Sequence, residues 1–112
     1  MKQYTDESQT AKLIELGFEK PNTCLGVGTK EEAGDLELGY IWAYSIGELI
    51  EMLPAKIDGT YCNIDRYGNR NWVISYDPMI YCCNRAELID ALYDMVVKLK
   101  EEGVIWVCLK KI

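Results

Sequence analysis

A chain of 112 residues with a net charge of −6, nearly half of it apolar and just over a quarter charged, has the make-up of a single folded domain (1–112) rather than a disordered one. It contains no histidine, which removes the side chain most used for proton transfer near neutral pH and for holding transition metals. Residues 1–60 carry five lysines against eleven carboxylates, and residues 61–112 carry seven of each sign, so the acidity lies in the first half and argues against a nucleic-acid partner.

The opening Met1-Lys2-Gln3-Tyr4-Thr5-Asp6 has no apolar stretch behind its lysine, and no segment approaches the ~20 apolar residues of a membrane helix, so neither a secretory signal nor membrane partnership is expected. The five cysteines, Cys24, Cys62, Cys82, Cys83 and Cys108, are odd in number and hold no C-x-x-C. Reduced thiols in a cytoplasmic protein are the expectation.

The first predicted element is a helix beginning near Thr5 or Asp6, with Leu13 and Ile14 inward, closed by Gly17 and followed by Phe18 folding back onto Leu13 or Ile14. Gly26-Val27-Gly28-Thr29-Lys30 lacks the spacing of a phosphate or dinucleotide loop and reads as a flexible connection. The acidic run Glu31, Glu32, Asp35, Glu37 lacks the ligand spacing of a calcium loop and reads as solvated. Leu36, Leu38, Tyr40 and Trp42 share one side at period two, a strand weakened by Gly39.

A second helix follows from Ser45 and Glu48, a capping box, with Tyr44 and Leu49 as its hydrophobic staple. Ile46, Leu49, Ile50 and Leu53 form its stripe, and Pro54 ends it. A central antiparallel hairpin is predicted over about 60–77. Cys62, Ile64, Trp72, Ile74 and Tyr76 lie on a face toward a helix, while Tyr61, Asn63, Asp65, Val73 and Ser75 lie on a half-polar reverse, with Pro78 as the terminator.

The longest helix is predicted from a cap pair Asn84 and Glu87 to Gly103, burying Leu88, Ile89, Leu92, Met95, Val96 and Leu99. Asp90, Asp94 and Lys98 fall on an opposite, solvated face, the last two at favourable i, i+4 spacing. Val104-Ile105-Trp106-Val107-Cys108-Leu109 reads as a buried strand, or as a pairing edge if exposed. The fold class is therefore α+β, three helices packed on one face of a small, mainly antiparallel sheet.

No catalytic, cofactor or metal set emerges from these residues. A cysteine nucleophile needs a base, and the only position with a physical reason for activation is Cys82-Cys83, where a following helix N-terminus lowers a thiol pKa. The order Gln9 through Leu13-Ile14-Glu15-Leu16-Gly17, then Trp42-Ala43-Tyr44-Ser45-Ile46-Gly47-Glu48 through Pro54, then Lys98-Leu99-Lys100-Glu101-Glu102-Gly103 resembles a family of small α+β proteins of gut bacteria and their phages or mobile elements. The resemblance implies an α+β fold and brings no assigned activity or site. Twelve aromatic residues exceed what a small core needs, and Tyr61, Tyr67, Tyr81 and Tyr93 are assigned to the surface, where tyrosine favours interfaces. The expectation is a non-enzymatic protein-binding or structural module engaging a protein partner or a second copy, without a cofactor. The alternative is a small enzyme or ligand carrier with an apolar pocket lined by Trp42, Trp72 and Trp106.

Overall fold

The computed structural model describes residues 2–27, 40–57, 59–68, 71–76 and 81–105, with backbone alone at 23–27, 40, 41, 67 and 81. In chain order these form α1 (Glu7–Glu15), β1 (Thr23–Val27), β2 (Tyr40–Ala43), α2 (Ile46–Met52), β3 (Lys56–Ile57), β4 (Thr60–Tyr67), β5 (Asn71–Tyr76), β6 (Tyr81–Arg85) and α3 (Leu88–Glu101). The fold is α+β. β3-β4-β5-β6 is an antiparallel sheet in sequence order, and β1 and β2 make a separate antiparallel pair with an irregularity between Cys24 and Gly26.

Local chemistry sets the helix ends. Asp6 accepts the Gln9 N–H at 2.8 Å while Gln9 accepts the Asp6 N–H at 3.0 Å, so both donors at the start of α1 are satisfied reciprocally. Ser45 and Glu48 do the same for α2 at 3.1 and 2.9 Å, and Tyr44 and Leu49 beside them are buried as a staple requires. α1 and α3 close alike. Gly17 (φ 103°) and Gly103 (φ 79°) take the left-handed conformation, and the next residues, Phe18 and Val104, donate to the carbonyls of Leu13 and Leu99 at 3.2 and 2.8 Å. This six-residue closure turns both Phe18 and Val104 back against the core.

The core is the contact of α3 with β5 and β6, flanked by α1 and α2. Ile89, Leu92, Met95, Val96 and Leu99 are fully buried with Ile74 and Tyr76 from the sheet, Leu13 from α1 and Leu49 from α2. The hairpin register pairs Cys62 with Tyr76, Ile64 with Ile74 and Arg66 with Trp72, and β6 continues the rows by setting Cys83 beside Ile74. Tyr76 Oη donates to the Pro54 carbonyl at 2.5 Å, tying the sheet to the end of α2.

Several expectations change. The cap of α3 is Glu87, not the Asn84 and Glu87 pair: Asn84 is an exposed residue of β6, and Glu87 makes no side-chain capping bond, accepting instead the Lys2 N–H at 2.9 Å. The Asp90 face is not solvated, since the N-terminal segment covers it and leaves the side chain 15% exposed. Ile50, assigned to the stripe of α2, is 43% exposed, and Ile64, assigned to the helix-facing side of the hairpin, is 39% exposed. Val73 and Ser75 on the supposedly half-polar reverse are buried, because β5 is a central strand between β4 and β6. Gly26 and Val27 belong to β1 rather than to a flexible connection. The acidic run at 31–37, Leu36, Leu38, Pro78 and residues 106–109 lie outside the described residues. Among the described residues no helix is long and apolar enough to cross a membrane.

Since Leu92 is wholly enclosed and Ile50 half in water, their truncations should separate. Leu92→Ala is expected to cost about 2–5 kcal/mol and Ile50→Ala at most about 0.5 kcal/mol, read from denaturant midpoints.

Candidate interaction surface

β4 is an eight-residue strand that β3 covers at only two positions, Lys56 opposite Tyr61 and Ile57 opposite Thr60. The Cys62 N–H donates outward to the Ala55 carbonyl at 3.1 Å. Peptide groups of an antiparallel strand alternate in direction, so those of Ile64 and Arg66 also point away from β5. Among the described residues no strand pairs with them. The side chains along this stretch, Asn63, Ile64, Asp65 and Arg66, are all exposed. Among the described residues this stretch is an open sheet edge, the feature by which one chain templates a strand of another.

Tyr61 stands at the start of that edge, 62% exposed, with the Lys56 ammonium 5.0 Å from its ring centre and Asn63 Nδ2 donating to its carbonyl at 3.4 Å. It points to the face away from α3. Tyr93 lies on α3, half-buried against the core, so the two do not share a surface. Tyr67 is on β4 and Tyr81 on β6, and their side chains lie outside the described residues. Of the four, the structure places the side chains of Tyr61 and Tyr93, and these lie on different surfaces. β3, which creates the open edge by its shortness, was missed in the sequence, although Asp58-Gly59 between Ile57 and Thr60 is a two-residue hairpin signal.

Two of the three tryptophans are described, and they lie in different sheets. Trp42 is on β2, in the two-stranded sheet, and Trp72 is on β5 with the Arg66 guanidinium 5.2 Å from its ring centre. Trp106 lies outside the described residues. Trp72 packs against the core cluster, which accounts for its bulk without a ligand.

Cys82 and Cys83 are free and half-buried on β6, and α3 begins only at Leu88, so they do not sit at a helix N-terminus. Cys83 borders a shallow groove of about 320 Å³ formed with Tyr93, Asp94, Val97, Lys98, Glu101 and Glu102. Burial, then the Asp94 carboxylate, pushes its thiol up to about 11, against the lowering expected from a helix start. Burial likewise raises the Cys62 thiol, beside Tyr76. Among the described residues no group of three or more carboxylates or thiols is placed to hold a metal.

Charged side chains gather instead at the start of α3. Asp90 receives Lys2 Nζ and Gln9 Nε2, each at 2.8 Å, and lies 3.8 Å from Arg85, which also pairs with Asp94 at 2.5 Å. Burial acts to raise the Asp90 carboxyl, but the hydrogen bonds from Lys2 and Gln9 outweigh it and hold the group below the usual carboxylate range. Each carboxylate already has a partner within the fold, which marks the cluster as a clasp.

No family model, curated protein or solved structure matches this chain.

Two outcomes test this placement. Alkylation of Cys83 by iodoacetamide, followed by peptide mass spectrometry, should be slow at neutral pH and rise steeply on approach to its raised pKa of about 11, since the thiolate is the nucleophile. Asp90, lowered in the folded state, contributes stability above its unfolded pKa that disappears as pH falls through the folded value. Melting temperature should thus drop below about pH 4, and Asp90→Asn should flatten that acid limb while lowering the plateau.

Proposed function

We propose that the protein is a protein-binding module that takes an extended segment of a partner, or of a second copy, as an added strand on β4. The observation that carries this reading is the mismatch between β4 and β3: two positions are covered and the outward peptide groups of Ile64 and Arg66 are left on an exposed edge. Strand addition supplies affinity through main-chain hydrogen bonds and selectivity through the alternating side chains. Tyr61 supports it as a large, exposed aromatic at the end of the same edge.

Proline at position 64 removes an outward N–H without touching the β4–β5 ladder, a substitution that edge strands tolerate. Ile64→Pro should leave the circular dichroism spectrum intact and lower the melting temperature by only a few degrees. If a second copy is the partner, light scattering across a dilution series gives a mass that rises with concentration, and both Ile64→Pro and Tyr61→Ala return it to the monomer. A concentration-independent monomer removes the second copy. Selection of extended peptides from a random library, with binding lost in Ile64→Pro, then decides the module itself, and failure to enrich any peptide sinks it.

A further inference from the structure

We infer that residues Lys2 to Thr5 form a polar latch, hinged at Asp6, that opens and closes as a unit while the core stays folded. The segment crosses from the start of α3 to the β2–α2 junction and is held there by hydrogen bonds and ion pairs. The Lys2 N–H donates to Glu87 at 2.9 Å, and Lys2 Nζ reaches Asp90 at 2.8 Å, Gln9 at 3.3 Å and Asp6 at 3.4 Å, an acceptor for each of its three hydrogens. Burial disfavours the ammonium, yet the Asp90 hydrogen bond and charge more than restore it, and its pKa stands above the ordinary lysine value.

At the other end, Tyr4 bridges Ser45, the Thr5 N–H donates to the Tyr44 carbonyl at 3.0 Å, and the Tyr44 N–H donates to Thr5 Oγ1 at 2.9 Å. Thr5 Oγ1 also shares a hydrogen bond of 2.7 Å with Thr10. No residue from 2 to 6 belongs to the apolar core cluster, which begins in α1 with Leu13. A shallow groove of about 230 Å³ runs along this contact, lined by Gln3, Tyr4, Ser45, Ile46 and Gly47.

Contacts of this kind exchange for water at small net cost, whereas the core opens only by exposing apolar surface. Lys2 Nζ touches both capping-box side chains, but the two reciprocal bonds of the box run between Asp6 and Gln9 alone, so α1 keeps its N-terminus when Lys2 to Thr5 lift away. Opening uncovers the backbone of Tyr44 and Ser45 and the carboxylates of Glu87 and Asp90 together. The latch is thereby a salt-sensitive gate over a second stretch of unpaired backbone, distinct from β4.

Native-state hydrogen exchange by NMR tests it on the full chain. The Thr5 and Tyr44 amides should exchange through an opening insensitive to low denaturant, well ahead of Leu92 and Met95. Raising sodium chloride from 0.1 to 1 M shortens the screening length from about 10 Å to about 3 Å and should speed them roughly two- to fivefold relative to those core amides. Lys2→Met should give a similar acceleration, remove the salt dependence and leave Leu92 and Met95 unchanged; Glu87→Gln should accelerate the same pair. The latch is overturned if Thr5 and Tyr44 exchange with the rate and denaturant dependence of the core, if salt has no effect, or if Lys2→Met fails to fold, since the strap would then hold the core rather than rest on it.

Discussion

The burial of the apolar stripe of α3 is the constraint on which the other elements depend. A helix of 14 residues with Leu88, Ile89, Ala91, Leu92, Met95, Val96 and Leu99 out of water needs a surface wider than any one neighbour in this chain offers. β5 and β6 supply the floor, α2 one flank through Leu49 and Leu53, and α1 another through Leu13. The two glycine closures complete the cover by returning Phe18 and Val104 against the same cluster. Each large apolar side chain so enclosed contributes about 1.5–3 kcal/mol, against a net stability of about 5–15 kcal/mol for an ordinary domain. Among the described residues the helix caps, at about 0.5–2 kcal/mol each, and the partly exposed ion pairs, at up to about 1 kcal/mol, add smaller increments.

The position of α3 also decides what is left uncovered. It packs on β5 and β6, so the central strand β5 is shielded while β4 lies toward the outer side of the sheet. Ile64 has the right parity to face the helix and pairs with the fully buried Ile74, but it stands one strand beyond the helix's reach and stays 39% exposed. The open edge of β4 follows from the same geometry, because β3 ends after two residues and nothing else among the described elements crosses to pair with it.

What could be read from the sequence was what is local. The start of α1 near Asp6, the capping box at Ser45, the closures at Gly17 and Gly103, the stripe of α3 and the hairpin of β4 and β5 each rest on residues within a turn or a register of one another, and they stand as expected. What depended on distant partners was not legible. Period-two alternation assigns a side chain to a face but cannot say how far across the sheet a helix extends, hence Ile64 and Val73. Glu87 has the type and spacing of a capping residue, yet its carboxylate is drawn off by a backbone N–H 85 residues away. The Asp90 face reads as solvated for the same reason, its cover coming from Lys2 and Gln9. As for the surface, Tyr61 is exposed beside the β4 edge while Tyr93 is half-buried against the core. The β4 edge is a property of backbone pairing, and only Asp58-Gly59 hinted at the short strand that creates it.

The energetics of that edge limit what it can accept. The outward groups of Ile64 and Arg66 offer two donors and two acceptors, and main-chain hydrogen bonds bring a net of about 0.5–1.5 kcal/mol each. A few kcal/mol from backbone alone falls short of the roughly 4–15 kcal/mol that association costs in lost freedom. Side chains must therefore provide the balance, and they are disposed on both faces of the strand. Ile64 and Arg66 flank an added strand on the α3 side, and Tyr61, Asn63 and Asp65 flank it on the other. Arg66 is partly committed to the Trp72 ring and Asp65 is an edge charge of the kind that discourages indiscriminate pairing. An extended segment with an apolar residue against Tyr61 and a cationic one against Asp65 satisfies both sides at once, whereas a flat apolar strand would leave Asp65 without a counter-charge at the contact.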